Sequence, residues 1–292
     1  MTNPALLVVG HGTRSDAGVG AFAALLDRLR RRAPSLPVSG GFIELSPPPL
    51  ADAVRHLVTA GHREFGVVPL VLVAAGHAKG DVPAALAREA QRHPGTVYHY
   101  GRALGPHPTL LNLLDQRLDS VLDRSERADT TVVLVGRGSS DPDANAEHVK
   151  TARLFAEGRG LAGVEPAFIS LAQPGVPEAL ERCRRLGARR VAVLPYFLFP
   201  GVLPDRVGSQ SVEWTIAHPD IEVRRADVLG DSDELADLVL ARYREALGGD
   251  IRMNCDTCQY RVALPGFEHR VGTPQVPHDH PDDHVHLPQV HA

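Results

Sequence analysis

The chain has 292 residues, 43% of them hydrophobic, and a formal net charge of −4. Lys79 and Lys150 are its lysines and every other fixed cation is arginine, so no basic field exists for nucleic acid or a membrane surface. No stretch approaches the roughly 18 apolar residues of a membrane span, and the N-terminus lacks a basic segment leading into a long apolar run; with no disulfide framework among Cys183, Cys255 and Cys258, this predicts a cytoplasmic protein.

The first predicted element is a strand at Leu6-Leu7-Val8-Val9, apolar on both faces and closed by Gly10-His11-Gly12. Those glycines let the chain turn sharply and present an imidazole at the carboxyl end of the strand, where ligands gather in open α/β sheets. A helix follows over Asp16 to Arg32, with Phe22, Leu25, Leu26 and Leu29 at helical spacing. Pro37 to Leu45 reads as the second strand, with Glu44 at its end before Ser46-Pro47-Pro48-Pro49 and a helix running to about Ala60. Phe65 to Leu72 is the third strand. A small-residue loop, Val73 to Asp81, carries His77 ahead of a helix beginning at Pro83. Gly95 to Tyr100 and Pro108 to about Arg124 give a fourth strand and a fourth helix. Alternation of this kind means a parallel sheet covered by helices on both faces.

The pattern then begins again. Val132-Val133-Leu134-Val135-Gly136-Arg137-Gly138 repeats the opening motif 126 positions later, Phe168-Ile169-Ser170-Leu171 repeats Phe42-Ile43-Glu44-Leu45, and Val193-Leu194-Pro195 repeats Val67-Val68-Pro69. A period this long marks a duplicated domain and not a solenoid. The expected architecture is α/β: two similar lobes, 1–127 and 128–249, each a four-stranded parallel sheet flanked by helices, with Gly248-Gly249 closing the folded region. Residues 250–292 hold Cys255-Asp256-Thr257-Cys258 and then a Pro- and His-rich tail with no periodicity, expected to be disordered from about Val271.

The copies differ where chemistry is concentrated. His11 is replaced by Arg137, Glu44 by Ser170, and His77 by an apolar residue near Val202 or Leu203. Adjacent parallel strands lie about 4.8 Å apart, so His11, Glu44 and His77 can converge on one ion. Two imidazoles and a carboxylate suit Fe2+, Co2+, Ni2+ or Zn2+ and leave open coordination positions, as an exchanging or reacting site requires. Arg14, Arg137 and Arg206 are candidate partners for substrate carboxylates, which a guanidinium meets with two parallel hydrogen bonds. Cys183 aligns with Leu57 at a core-facing helical position and reads as a small buried hydrophobe.

Three of these motifs carry a resemblance: Val8-Val9-Gly10-His11-Gly12-Thr13-Arg14, Gly41-Phe42-Ile43-Glu44-Leu45, and Val68-Pro69-Leu70-Val71-Leu72 followed by Gly76-His77. Together with the duplicated layout and the Met253-Asn254-Cys255-Asp256-Thr257-Cys258 segment, the chain resembles the CbiX-type sirohydrochlorin chelatases of the class II chelatase family. The resemblance implies insertion of Fe2+ or Co2+ into sirohydrochlorin, an octacarboxylate tetrapyrrole, on the way to sirohaem or cobalamin. It makes His11 and His77 the metal-binding histidines and Glu44 the acidic active-site residue. It also links Cys255 and Cys258 to an iron–sulfur cluster, for which two thiolates are half the usual ligand set; a reversible disulfide is the competing reading. The partner expected is the tetrapyrrole alone, with no nucleic acid or membrane, in a monomer or homodimer. A metal-storage or metal-delivery protein, with the His-rich tail gathering ions, is the alternative function.

Overall fold

In the computed structural model the described residues are 4–249, 256–257 and 262–272. Two four-stranded parallel sheets form the framework. The first has the order β2-β1-β3-β4, from β1 (Ala5–Gly10), β2 (Val38–Phe42), β3 (Glu64–Pro69) and β4 (Val97–Tyr100). The second has the order β6-β5-β7-β8, from β5 (Thr130–Gly136), β6 (Gly163–Phe168), β7 (Arg190–Pro195) and β8 (Glu222–Arg225). The register repeats with the fold, Gly10 lying beside Phe42 and Gly136 beside Phe168. Every residue of β1 is buried, which is why its sequence shows no apolar–polar alternation.

Eight α-helices connect and cover the strands: α1 (Asp16–Arg32), α2 (Leu50–Thr59), α3 (Val82–Arg92), α4 (Pro108–Asp119), α5 (Pro142–Ala156), α6 (Val176–Arg185), α7 (Val202–Ala217) and α8 (Asp233–Gly248). Helix α1 starts where Ser15 accepts a hydrogen bond from the Gly18 amide, places Asp16 in its first turn and ends on Arg30, Arg31 and Arg32, charges that complement the helix dipole at both ends. Ala5, Leu7 and Val9 face outward onto α2 and α3, and Val133 and Val135 face α6 and α7. Cys183 on α6 is 1% exposed in that second cluster, and burial pushes its thiol up to about 12, so it behaves as the hydrophobe its alignment with Leu57 indicates.

Several elements differ from the sequence expectation. The third strand stops at Pro69, and His77 lies on a π-helical turn, His77–Asp81, that runs straight into α3. The fourth helix ends at Asp119, and a separate 3-10 turn covers Arg124–Asp129. Each lobe's last helix covers the other lobe's sheet. Helix α8 lies on β3 and against α1, while α4 lies on β7 and α5. Gly66 in β3 is the point of closest approach, since a Cβ there would stand 2.4 Å from the Tyr243 ring of α8. The Tyr243 hydroxyl donates to the Pro4 carbonyl, and Arg28 and Arg32 of α1 pair with Asp231, Asp233 and Asp237 around the start of α8. Leu6 and Val8 of the first lobe therefore share one apolar cluster with Val132 and Leu134 of the second, joined through leucines of α4 and α8.

The folded region does not close at Gly249. Leu264 is buried in the shared core with Val262 and Phe267 packed beside it, and Pro265 lies against Gly158, whose φ of 68° brings the two backbones together. Asp256 is gripped by Arg102 and Arg242. Cys255, Cys258 and residues 273–292, which include the His-rich tail and nearly all of the segment expected to be disordered, lie outside the described residues. Among the described residues no helix is long and apolar enough to cross a membrane.

Candidate metal centre

His11 follows β1 directly, and Glu44 lies two residues beyond β2. The two are locked together through the backbone: the Glu44 amide donates to the His11 carbonyl at 3.1 Å, and the Ile43 amide donates to the Gly10 carbonyl at 3.0 Å. Gly12, at φ 115°, fits so closely that a Cβ would stand 1.9 Å from the Glu44 carbonyl oxygen, so only glycine permits this join. His77 reaches the same point from the turn after β3.

The three side chains that the sequence singles out are brought together. Ligand atoms of His11, Glu44 and His77 all lie within 4.8 Å of one another, and among the described residues they form the one group with such a donor set. His11 Nε2 is 2.7 Å from His77 Nε2 and 3.0 Å from Glu44 Oε1, with the imidazole planes at 88°. His77 Nδ1–H donates to Asp81 Oδ2 at 2.6 Å and His11 Nδ1–H to its neighbour's carbonyl, Gly12 O, at 3.3 Å. In the ligating form, with both Nδ1 atoms protonated towards these partners, each Nε2 presents its lone pair to the shared point beside a carboxylate. Burial lowers the pKa of His11, His77 and Arg137 push it the same way, and Glu44 opposes them. The imidazole is thus kept neutral near pH 7, the form that ligates.

The site opens into a cleft of about 710 Å³ lined by both lobes, within the range of small-molecule sites. Arg14 and Arg137 line it, as do Leu45, Leu171 and Val202, which are 50%, 69% and 61% exposed. Leu45 and Leu171 occupy equivalent positions, both in the left-handed region at φ 67° and 62°, and present apolar side chains to the cleft from either lobe. Arg206 is not brought in. Its guanidinium donates to the Ile169 carbonyl at 3.1 Å, and it is absent from the cleft lining.

Two residues at the site escape a reading of the sequence. Asp81 reads as part of a loop, yet its spacing of four from His77 is the interval that brings side chains together on a helix. His148, 126 positions after Phe22, lies under the mouth of β5, 3% exposed and packed against Phe168 with ring centroids 5.0 Å apart and planes tilted by 57°. Its Nε2–H is shared between the Leu134 and Ala167 carbonyls at 3.1 Å each, and burial lowers its pKa to about 4. The repeat offset is the signal that would have revealed it.

Comparison with known proteins agrees with the two-lobed fold. The CbiX family model matches residues 5–121 and again 131–246, once for each lobe. A sirohydrochlorin cobaltochelatase of Priestia megaterium is 35% identical over 262 residues, covering 89% of this chain and 85% of the relative. A sirohydrochlorin ferrochelatase of Bacillus subtilis is 29% identical over 82% of this chain and 91% of its own length. The solved structure of SirB from Bacillus subtilis with Fe3+ superposes with a TM-score of 0.74 at 27% identity, covering 85% of this chain and 96% of that one.

Proposed function

The chain belongs to the CbiX family, and on that premise we propose that it is a sirohydrochlorin chelatase, inserting Fe2+ or Co2+ into the tetrapyrrole held between its lobes. The observation that carries this reading is the convergence of His11, Glu44 and His77 on one point at the wall of a cleft. A closed four-ligand site would retain its ion; three donors on one side leave the opposite side free for pyrrole nitrogens. The metal here is a substrate, held loosely enough to be passed on.

Insertion removes two protons from pyrrole nitrogens while the ion exchanges its protein ligands for macrocycle ligands. Glu44, half exposed beside His11 Nε2, is positioned to take a proton as the metal leaves, and the freed imidazoles can take another. Asp81 holds the His77 ring so that Nε2 faces the ion throughout. Arg14 and Arg137 are the arginines available to pair with substrate carboxylates, while Leu45, Leu171 and Val202 offer apolar contact to the faces of the ring. Arg206, engaged with Ile169 outside the cleft lining, is left out of this assignment.

The test is a mixing experiment: purified protein, sirohydrochlorin and Fe2+ or Co2+, followed by the absorption change on metallation. Acceleration over metal and tetrapyrrole alone is expected, and its absence with both metals would end the chelatase reading. Running the two metals side by side also identifies the preferred one.

A further inference from the structure

The turn that carries His77 also ties the first lobe to the second. Lys79 Nζ, two residues on, donates to Asp141 Oδ2 at 2.7 Å and to Asp143 Oδ2 at 2.8 Å, both at the start of α5. Asp141 is the residue that caps α5, and its other oxygen accepts from the Asp143 amide at 3.0 Å, so the carboxylate facing Lys79 is fixed in place. His77, Lys79 and Asp81 share one five-residue turn. The buried Ala78 between them is anchored by Tyr100, whose hydroxyl donates to its carbonyl at 2.7 Å. A short turn pinned in this way passes any displacement of Lys79 to the imidazole beside it.

The equivalent contact between the lobes has a different character. By the repeat offset Lys79 corresponds to Asp205, and Asp141 to Ser15. There the lobes meet through uncharged groups: a Cβ on Gly18 would lie 2.8 Å from the Pro200 carbonyl, and one on Gly201 would lie 3.5 Å from the Thr13 hydroxyl oxygen. One contact is therefore fixed by shape and the other by charge. Lys79 is 44% exposed, so solvent weakens its pairs, and in a chain that uses arginine almost everywhere else a flexible, strongly hydrated ammonium suits a contact that opens and closes.

We propose that Lys79 is a positioning residue: with Asp141 and Asp143 it forms a clasp that holds the His77 turn in register with His11 and Glu44, and thereby couples closure of the cleft to the geometry of the metal site. The proposal rests on the reading of His11, Glu44 and His77 as metal ligands, but not on the identity of the tetrapyrrole. Its test is a Co2+ titration of the full-length chain without tetrapyrrole, followed by the visible absorption of the bound ion. Lys79→Met is expected to weaken Co2+ binding about tenfold, as loss of an outer-sphere support does. Asp141→Asn/Asp143→Asn, which keeps a good helix cap, is expected to weaken it equally, and the triple variant no further, because all three residues act in one device. Lys79→Arg should restore most of the affinity, and melting temperatures should stay within about 2 °C of the parent.

Wild-type Co2+ affinity in the aspartate variant, with a loss in Lys79→Met, would show Lys79 acting alone and overturn the clasp. Unchanged binding in all the variants would overturn it as well. His11→Ala in the same titration separates the two levels of the argument: if it too binds Co2+ normally, the metal-site reading itself has failed.

Discussion

The two lobes offer a comparison made within one molecule. At the carboxyl ends of their first strands the backbones agree almost bond for bond. Glu44 N–His11 O at 3.1 Å is matched by Ser170 N–Arg137 O at 3.0 Å, and Ile43 N–Gly10 O by Ile169 N–Gly136 O, both at 3.0 Å. Gly12 against the Glu44 carbonyl is matched by Gly138 against the Ser170 carbonyl, where a Cβ would stand 1.8 Å away. What differs is the chemistry hung on this cradle: imidazole against guanidinium, carboxylate against hydroxyl, and Phe22 against His148 below. The cradle is thus a device for holding two strand ends together, and among the described residues only one copy hangs a candidate metal-ligand set on it.

That division can be broken most sharply at the ligands. His11→Ala and His77→Ala should each slow metallation of sirohydrochlorin about a thousandfold, roughly 4 kcal/mol of transition-state stabilisation, whereas Arg137→Ala should act mainly on KM. Equal kcat losses at residues 11 and 137 would mean that the lobes share the chemistry. Next in size, Gly12→Ala and Gly138→Ala should each destabilise the fold by about 3 kcal/mol in urea unfolding, because both combine left-handed backbone with a clash. Only Gly12→Ala should also abolish Co2+ binding, and a loss of binding in Gly138→Ala would show that the second cradle is part of the site.

The buried histidine supplies a smaller effect. His148 has a pKa below its unfolded value, so its contribution to stability is complete above pH about 6.5 and is lost as pH falls towards about 4. Between pH 7 and 5 the parent should therefore lose about 2 kcal/mol more than His148→Phe, the variant that copies the first lobe. Parallel stability profiles for the two proteins would show that the ring is already charged or solvated. Smallest of all, Asp81→Asn should weaken Co2+ binding about tenfold, or 1.4 kcal/mol, leaving the fold intact.

Most of the framework was legible because it depends on local patterns. Short apolar runs such as Leu6–Val9 and Val132–Val135, bounded by glycines and rich in β-branched residues, read as strands buried on both faces, and the rule that ligands gather at strand ends joins His11 to Glu44 and His77. The turn at His77–Asp81 was not legible, since Ala74-Ala75-Gly76 and Gly80 read as loop composition and a π-helical turn has no composition of its own. Asp81 and Lys79 went unassigned for that reason. The crossing of α4 and α8 was hidden for a different one: a repeat reveals that two units are alike, but helical periodicity says only that a face is buried, never against which sheet. Leu264 likewise carries no periodic signal, and its burial depends on a groove assembled from both lobes.

The crossing of α4 and α8 bears on how such a duplication arises. A single unit, folded alone, would leave the face of its sheet around Gly66 bare and its last helix with nothing to cover, and two separate copies would each complete the other. An unfused ancestor is thus most simply a symmetric pair carrying two identical cradles. Within one chain the two cradles need not stay alike, and here one carries an imidazole where the other carries a guanidinium.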